Sequence, residues 1–109
     1  MKNKVLIIED NSYRYFTTKA VLSAKLKLDI KELVFSDPKD LIEATTSMSA
    51  RVIFRPAGGI VELLSYLKRQ KINRRNTELV LISICDMEAS IVPHLESFVK
   101  EKRGVAKAA

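Results

Sequence analysis

The sequence predicts an α/β fold: a three-layer α/β/α sandwich around a mostly parallel sheet of about four strands. Three observations carry this. Two runs, Val5-Leu6-Ile7-Ile8 and Leu79-Val80-Leu81-Ile82, are apolar without interruption, as in strands covered on both faces. Between and after them lie stretches with apolar residues at helical spacing. The connections are short, and strand and helix alternate as βαβαβαβα, the order that builds a parallel sheet with helices on both faces.

The first strand, Lys4 to Ile8, ends in Glu9-Asp10-Asn11. Asn11-Ser12 offers an N-cap to a helix over Tyr13–Leu28, whose inward face is expected to be Tyr13, Phe16, Ala20, Val21, Ala24 and Leu28, with Leu22 and Leu26 widening the stripe. Ile30 to Phe35 is a second, less apolar strand, expected near an edge. Ser36-Asp37-Pro38 starts a helix that runs to about Thr46 with Leu41, Ile42 and Ala44 inward. Arg51 to Arg55 is a short third strand, and Pro56-Ala57-Gly58-Gly59 the turn after it. A helix over Ile60–Gln70 places Ile60, Leu63, Leu64 and Leu67 on one face. Glu78 to Ile84 is the fourth strand. The last helix covers roughly Ala89 to Lys102, regular from Pro93, with Ile91, Val92, Leu95, Phe98 and Val99 as its stripe. Arg103 onward reads as a frayed end, so residues 1–103 form a single domain and 104–109 a flexible tail.

With 109 residues, one domain is expected. No apolar run approaches the roughly 20 residues that span a bilayer, and Lys2 followed by a strand ending in acids is not a signal peptide. A single cysteine, Cys85, excludes an internal disulfide and fits a reducing, cytoplasmic setting. Net charge of +6 raises nucleic acid or an acidic protein surface as partners.

If every crossover is right-handed, all βα turns gather on one edge. Brought there are Glu9, Asp10 and Asn11; Ser36 and Asp37; Arg55 and Gly58-Gly59; Ser83 and Asp86. Gly58-Gly59 before a helix can present N–H groups to phosphate, but neither GxGxxG nor GxxxxGK[ST] is present. Ser83, Asp86 and His94 lack a nucleophile elbow, and an enzyme built on Asp10, Asp37 and Asp86 is the weakest reading. The densest basic patch is Lys68, Arg69, Lys71, Arg74 and Arg75, at a helix end on the opposite edge.

The opening Lys4-Val5-Leu6-Ile7-Ile8-Glu9-Asp10-Asn11 resembles the start of a two-component response-regulator receiver domain. Ile60-Val61-Glu62-Leu63-Leu64 is similar to that family's third helix and Leu79-Val80-Leu81-Ile82-Ser83 to its fourth strand. The resemblance covers roughly residues 3 to 86 and implies a receiver-like (flavodoxin-like) topology without a clear fifth strand. In the family two acids of the first turn and an Asp ending the third strand hold Mg²⁺, and that Asp accepts a phosphoryl group. Glu9 and Asp10 match the acid pair and Ser83 the hydroxyl that ends the fourth strand. Arg55 stands where the acceptor Asp belongs, and no fifth strand or Lys-Pro follows. Ser90 to Pro93 is either a stub of that strand or the start of the last helix, and the gap after Ser83 is short for a parallel crossover.

Mg²⁺ wants about six oxygens and usually more than one carboxylate; two acids facing a guanidinium make an ion pair instead. The resemblance thus implies a degenerate pseudo-receiver with a vestigial pocket of Glu9, Asp10, Arg55 and Ser83. It would be non-catalytic, bind no metal or cofactor, and act in signal transduction through protein–protein interaction. An exposed fourth-strand edge would favour a homodimer, with Ile91, Leu95, Phe98 and Val99 as interface. The alternative is a nucleic-acid-associated regulatory module that uses the basic patch 68–75.

Overall fold

Each of the two apolar runs is buried on both faces because it occupies the centre of one sheet. The computed structural model describes residues 3–48, 50–54 and 59–108, with side chains described to residue 100. Its elements are β1 (Asn3–Glu9), α1 (Ser12–Lys25), β2 (Ile30–Val34), α2 (Pro38–Ser47), β3 (Arg51–Phe54), α3 (Ile60–Arg69), β4 (Thr77–Ser83) and α4 (Val92–Ala108). The four strands form an all-parallel sheet in the order β2-β4-β1-β3. β1 and β4 run side by side in the register Val5↔Leu79 through Glu9↔Ser83.

Side chains alternate across the pleat, which divides the core in two. Val5, Ile7, Leu79 and Leu81 face α1 and α3, where they meet Tyr15, Leu22, Leu63 and Leu67. Leu6, Ile8, Val80 and Ile82 face α2 and α4, where they meet Leu41 and Leu95. The α/β/α layering is therefore the predicted one. The chain moves from β1 to β2 over the α1 face, returns across the whole sheet to β3 on the α2 face, and comes back to β4 over the α3 face. Direction and face change together, so the three crossovers share one hand, as parallel βαβ units require.

The strand order differs from the expected topology. A flavodoxin-like sheet runs 2-1-3-4-5, with β1 between β2 and β3 and β4 beyond them. Here β4 sits between β2 and β1, and the edge that the receiver-like reading left open on β4 is closed on both sides. Burial explains this. β4 carries Leu79, Val80, Leu81 and Ile82, all fully or almost fully buried, and an edge position would leave the flank of that run open to water. β2, with Lys31 and Glu32 exposed, tolerates the edge.

Asn11 and Asp37 begin the first two helices. The Asn11 Oδ1 accepts the N–H groups of Tyr13 (2.9 Å) and Arg14 (3.2 Å), and the Asp37 Oδ1 accepts that of Lys39 (2.9 Å), with Pro38 opening the helix. In α1 the inward face is Tyr15, Thr18 and Leu22. Of the expected stripe, Leu22 and Leu28 are buried and Val21 and Leu26 half-buried, but its centre is turned outward: Tyr13 is 80% and Phe16 65% exposed, and Ala20 and Ala24 are exposed too. α4 starts at Val92 with no strand between Ile84 and Ile91, which resolves Ser90–Pro93 as a helix approach. It continues to Ala108, through the segment expected to fray and to form a flexible tail. Leu95 and Val99 are buried within this chain and Ile91 packs on the same cluster. The expected dimer interface on α4 is therefore largely internal core, and only Phe98 of the four remains exposed, at 39%.

Candidate functional site

The carboxyl edge of the sheet gathers Glu9, Asp10, Asp37 and Asp86, as expected. Glu9 continues the face of Val5 and Ile7, so its side chain enters the α1 side of the sheet and is fully buried. Its Oε2 accepts the hydroxyl of Thr18, which α1 presents from the same buried face as Tyr15 and Leu22. Asp10 follows at the strand end and is half-buried. Ser83 lies beside Glu9 in the register of β1 and β4, and its Oγ accepts the N–H of Cys85 at 3.4 Å. Thus Glu9 and Ser83 are neighbours on adjacent strands. Arg55, the remaining member of the expected pocket, and Pro56, Ala57 and Gly58 of the turn after it lie outside the described residues. Gly59 is the N-cap of α3.

The other polar groups of this edge have separate roles. Asp37 caps α2, Asp86 is exposed, and His94 is exposed on α4 with no hydrogen bond to Ser83 or Asp86. Among the described residues no group of three or more His, Cys, Asp or Glu side chains is placed to hold a metal ion. Cys85 is half-buried just after β4.

On the α1 face of β2, a polar network that the sequence reading missed ties helix to edge strand. The Tyr15 hydroxyl donates to Glu32 Oε1 at 2.6 Å, and Lys19 Nζ lies 3.1 Å from Glu32 Oε2. The Tyr15 hydrogen bond, followed by that of Lys19, holds the Glu32 carboxyl below its ordinary range. Burial, and then Glu32 itself, pushes the Tyr15 phenol well above its usual value. A carboxylate whose pKa falls on folding adds stability that is complete above the unfolded pKa, here about 4.5, and is lost as pH drops through the lower folded value. Glu32→Gln should therefore be less stable than the wild type at pH 7, with the gap closing as pH falls below about 4.5. Urea midpoints of the two proteins at pH 7 and pH 3.5 check this, and a gap that stays constant would remove the linkage. The sequence signal was available: Tyr15, Lys19 and Glu32 lie on an amphipathic helix and an adjoining edge strand.

The opposite edge carries the basic residues. Lys68 and Arg69 end α3, and Lys71, Arg74 and Arg75 follow in the loop to β4; all five are exposed. Arg51, the first residue of β3, joins them: its guanidinium donates to Gln70 Oε1 at 3.1 Å and lies 6.0 Å from the Tyr66 ring centroid.

Comparison with protein-family models, curated proteins and solved structures returned no match. No helix among the described residues is long and apolar enough to cross a membrane.

Proposed function

We propose that this chain is a non-catalytic regulatory module that acts by binding another protein. The observation that carries the reading is an apolar surface beside an unpaired strand edge. Tyr13 and Phe16 project outward from the first turns of α1, and Val34, 63% exposed, points to the same side at the end of β2. Tyr15 links the two elements: Phe16 meets its ring edge-on at 5.6 Å, and its hydroxyl reaches Glu32, two residues before Val34 on the same face of β2. Aromatic side chains concentrated next to open backbone donors and acceptors are what a partner strand or helix recognises.

The carboxyl edge supports the non-catalytic half of the proposal. The first-turn acid pair that would ligate Mg²⁺ in a working receiver is divided here, because Glu9 is buried against Thr18. Arg55 replaces the acceptor Asp in the sequence. The receiver-like opening supports a signalling role, whereas the strand order sets the chain apart from that family's arrangement.

Two measurements test the proposal. Acetyl phosphate with Mg²⁺ should give no retarded band on a phosphate-affinity gel, and stoichiometric phosphorylation overturns the non-phosphorylatable reading. Pull-downs from the native host should compare the wild type with Tyr13→Ser/Phe16→Ser. Both positions are already exposed, so the double variant keeps its melting temperature. Selective loss of a captured protein supports the reading, and identical capture by both baits sinks it. Light scattering on the same pair shows whether that partner is a second copy.

A further inference from the structure

We propose that the amino edge of the sheet is a docking surface for the phosphate backbone of double-helical nucleic acid, read without regard to base sequence. This is independent of the protein-binding surface above, which lies on α1 and the end of β2.

Topology places the charge. In a parallel sheet every helix ends, and every strand begins, on the same edge. Across that edge the strand starts follow the order Ile30, Thr77, Asn3, Arg51, a width of about 14 Å for three strand spacings. The loop from α3 to β4 enters at the centre, where the Asn3 N–H donates to Asn76 O at 2.8 Å. Lys25 and Lys27 flank it on the β2 side and Arg51 on the β3 side. Asp29, just before β2, and Glu78, near the start of β4, are acids of this amino edge, outnumbered by Lys25, Lys27, Arg51 and the five cations of residues 68–75, whereas Asp10, Asp37, Asp40, Asp86 and Glu88 belong to the far, carboxyl edge. The positive net charge is therefore directional, and a polyanion is drawn to one side of the molecule.

Within the loop, residues 68–76 contain no acid, and none of Lys68, Arg69, Lys71, Arg74 or Arg75 makes an ion pair among the described residues.

The loop is also braced. Lys71 takes a left-handed φ of 54°. Its carbonyl accepts from the side-chain amides of Asn73 (3.3 Å) and Asn76 (3.0 Å). Asn73 Oδ1 accepts the N–H groups of Arg75 (2.9 Å) and Asn76 (3.2 Å), and Asn76 Oδ1 accepts the N–H of Asn73 (3.0 Å) and the Thr77 hydroxyl (2.6 Å). Ile72 is buried beneath, packed with Leu67 and Leu79. The backbone that carries Lys71, Arg74 and Arg75 is thus fixed before any partner arrives, which lowers the ordering cost of binding.

The chemistry favours phosphate over other anionic partners. A protein interface needs an apolar centre, and the apolar residue of this loop, Ile72, points inward. Tyr66 beside the patch is half-buried with Arg51 over its ring, and the exposed aromatics Tyr13, Phe16 and Phe98 lie on other elements, so among the described residues the surface offers no exposed ring on which unpaired bases can stack. What is left is contact with phosphates, which positions a ligand without reading its sequence. A duplex offers one charge per ~1.7 Å of axis, twice the linear density of a single strand.

Fluorescence anisotropy with a labelled mixed-sequence duplex of 20 base pairs tests this. If the five loop cations are engaged, raising salt from 50 to 200 mM should weaken binding by about 500-fold, from a slope of about −0.9 per neutralised phosphate. Arg74→Ala/Arg75→Ala should make that slope shallower by about two units. Asn73→Ala leaves the charge unchanged and should still weaken binding several-fold, because it releases the brace; diffuse attraction to a basic protein would not respond to it. Salt-independent affinity, or wild-type affinity in Arg74→Ala/Arg75→Ala, overturns the site. Unchanged affinity in a folded Asn73→Ala overturns its pre-organisation. Equal competition by vesicles of anionic phospholipid assigns the surface to a membrane and overturns the nucleic-acid reading.

Discussion

Leu22→Ala is expected to cost about 2–5 kcal/mol of folding stability, whereas Phe16→Ala should change it by no more than about 0.5 kcal/mol. Both residues belong to α1 and the aromatic is the larger, so the order follows from the rotation of the helix about its axis. Leu22 has no exposed surface and packs among Val5, Ile7, Leu79 and Leu81, with Leu63 and Leu67 opposite. Shortening it leaves a cavity that two central strands cannot close, because both are fixed by pairing on each side. Phe16 gives up mainly surface that is already wet. For a domain of this size, with a total stability of about 5–15 kcal/mol, the Leu22 variant should melt many degrees below the wild type. Urea midpoints with unchanged slopes measure both. A large loss at Phe16 with a small one at Leu22 would show that α1 is rotated to the face its aromatic pattern suggests.

That reversal marks where the sequence was legible and where it was not. β1 and β4 were plain, since continuous apolar runs have one good solution, burial on both faces. The Asn11 and Asp37-Pro38 helix starts were plain as well, because capping is chemistry local to three or four residues. The face of α1 was not. Tyr13, Phe16, Ala20 and Ala24 form a well-spaced apolar stripe, and the true inward face contains Thr18, a residue whose burial makes sense only once Glu9 lies opposite it. A carboxylate that continues the inward parity of Val5 and Ile7 is the signal that a donor had to come from the covering helix.

Strand order was illegible for a different reason. A βα alternation fixes the hand of each crossover but not how many strands it passes. The order was still constrained by composition. Ranking the strands by the length of their unbroken apolar run, longest in β1 (Val5 to Ile8) and β4 (Leu79 to Ile82), puts those two in the centre and β2 and β3 outside, as observed. Family likeness overrode that ranking and left β4 at an edge. The same correction moves the open edge to β2, next to Tyr13, Phe16 and Val34, so the search for a protein partner shifts from α4 to α1. The run of basic residues at 68–75 is plain in the sequence and all five are exposed, but the bracing of the loop by Asn73 and Asn76 depends on a left-handed Lys71, a conformation not readable from lysine itself.

Thr18→Val is the second substitution with a large expected effect, about 1.5–3 kcal/mol. Valine matches threonine in shape, so packing beneath α1 is preserved and what disappears is the hydroxyl that donates to Glu9 Oε2. Glu9 is at zero exposure in the middle of the sheet's carboxyl edge, where water cannot replace the lost donor, and a buried polar group that loses a partner costs its desolvation. Thr18→Ser provides the control: it keeps the donor and removes one methyl, for about 0.8 kcal/mol. The expected order is therefore wild type, then Thr18→Ser, then Thr18→Val. A cycle that combines Thr18→Val with Glu9→Gln should show coupling of about 1 kcal/mol, because both substitutions alter the same buried hydrogen bond. If Thr18→Val is as stable as Thr18→Ser, the hydroxyl is not what holds Glu9, and the reason for a carboxylate at the head of the central strand must be sought outside α1.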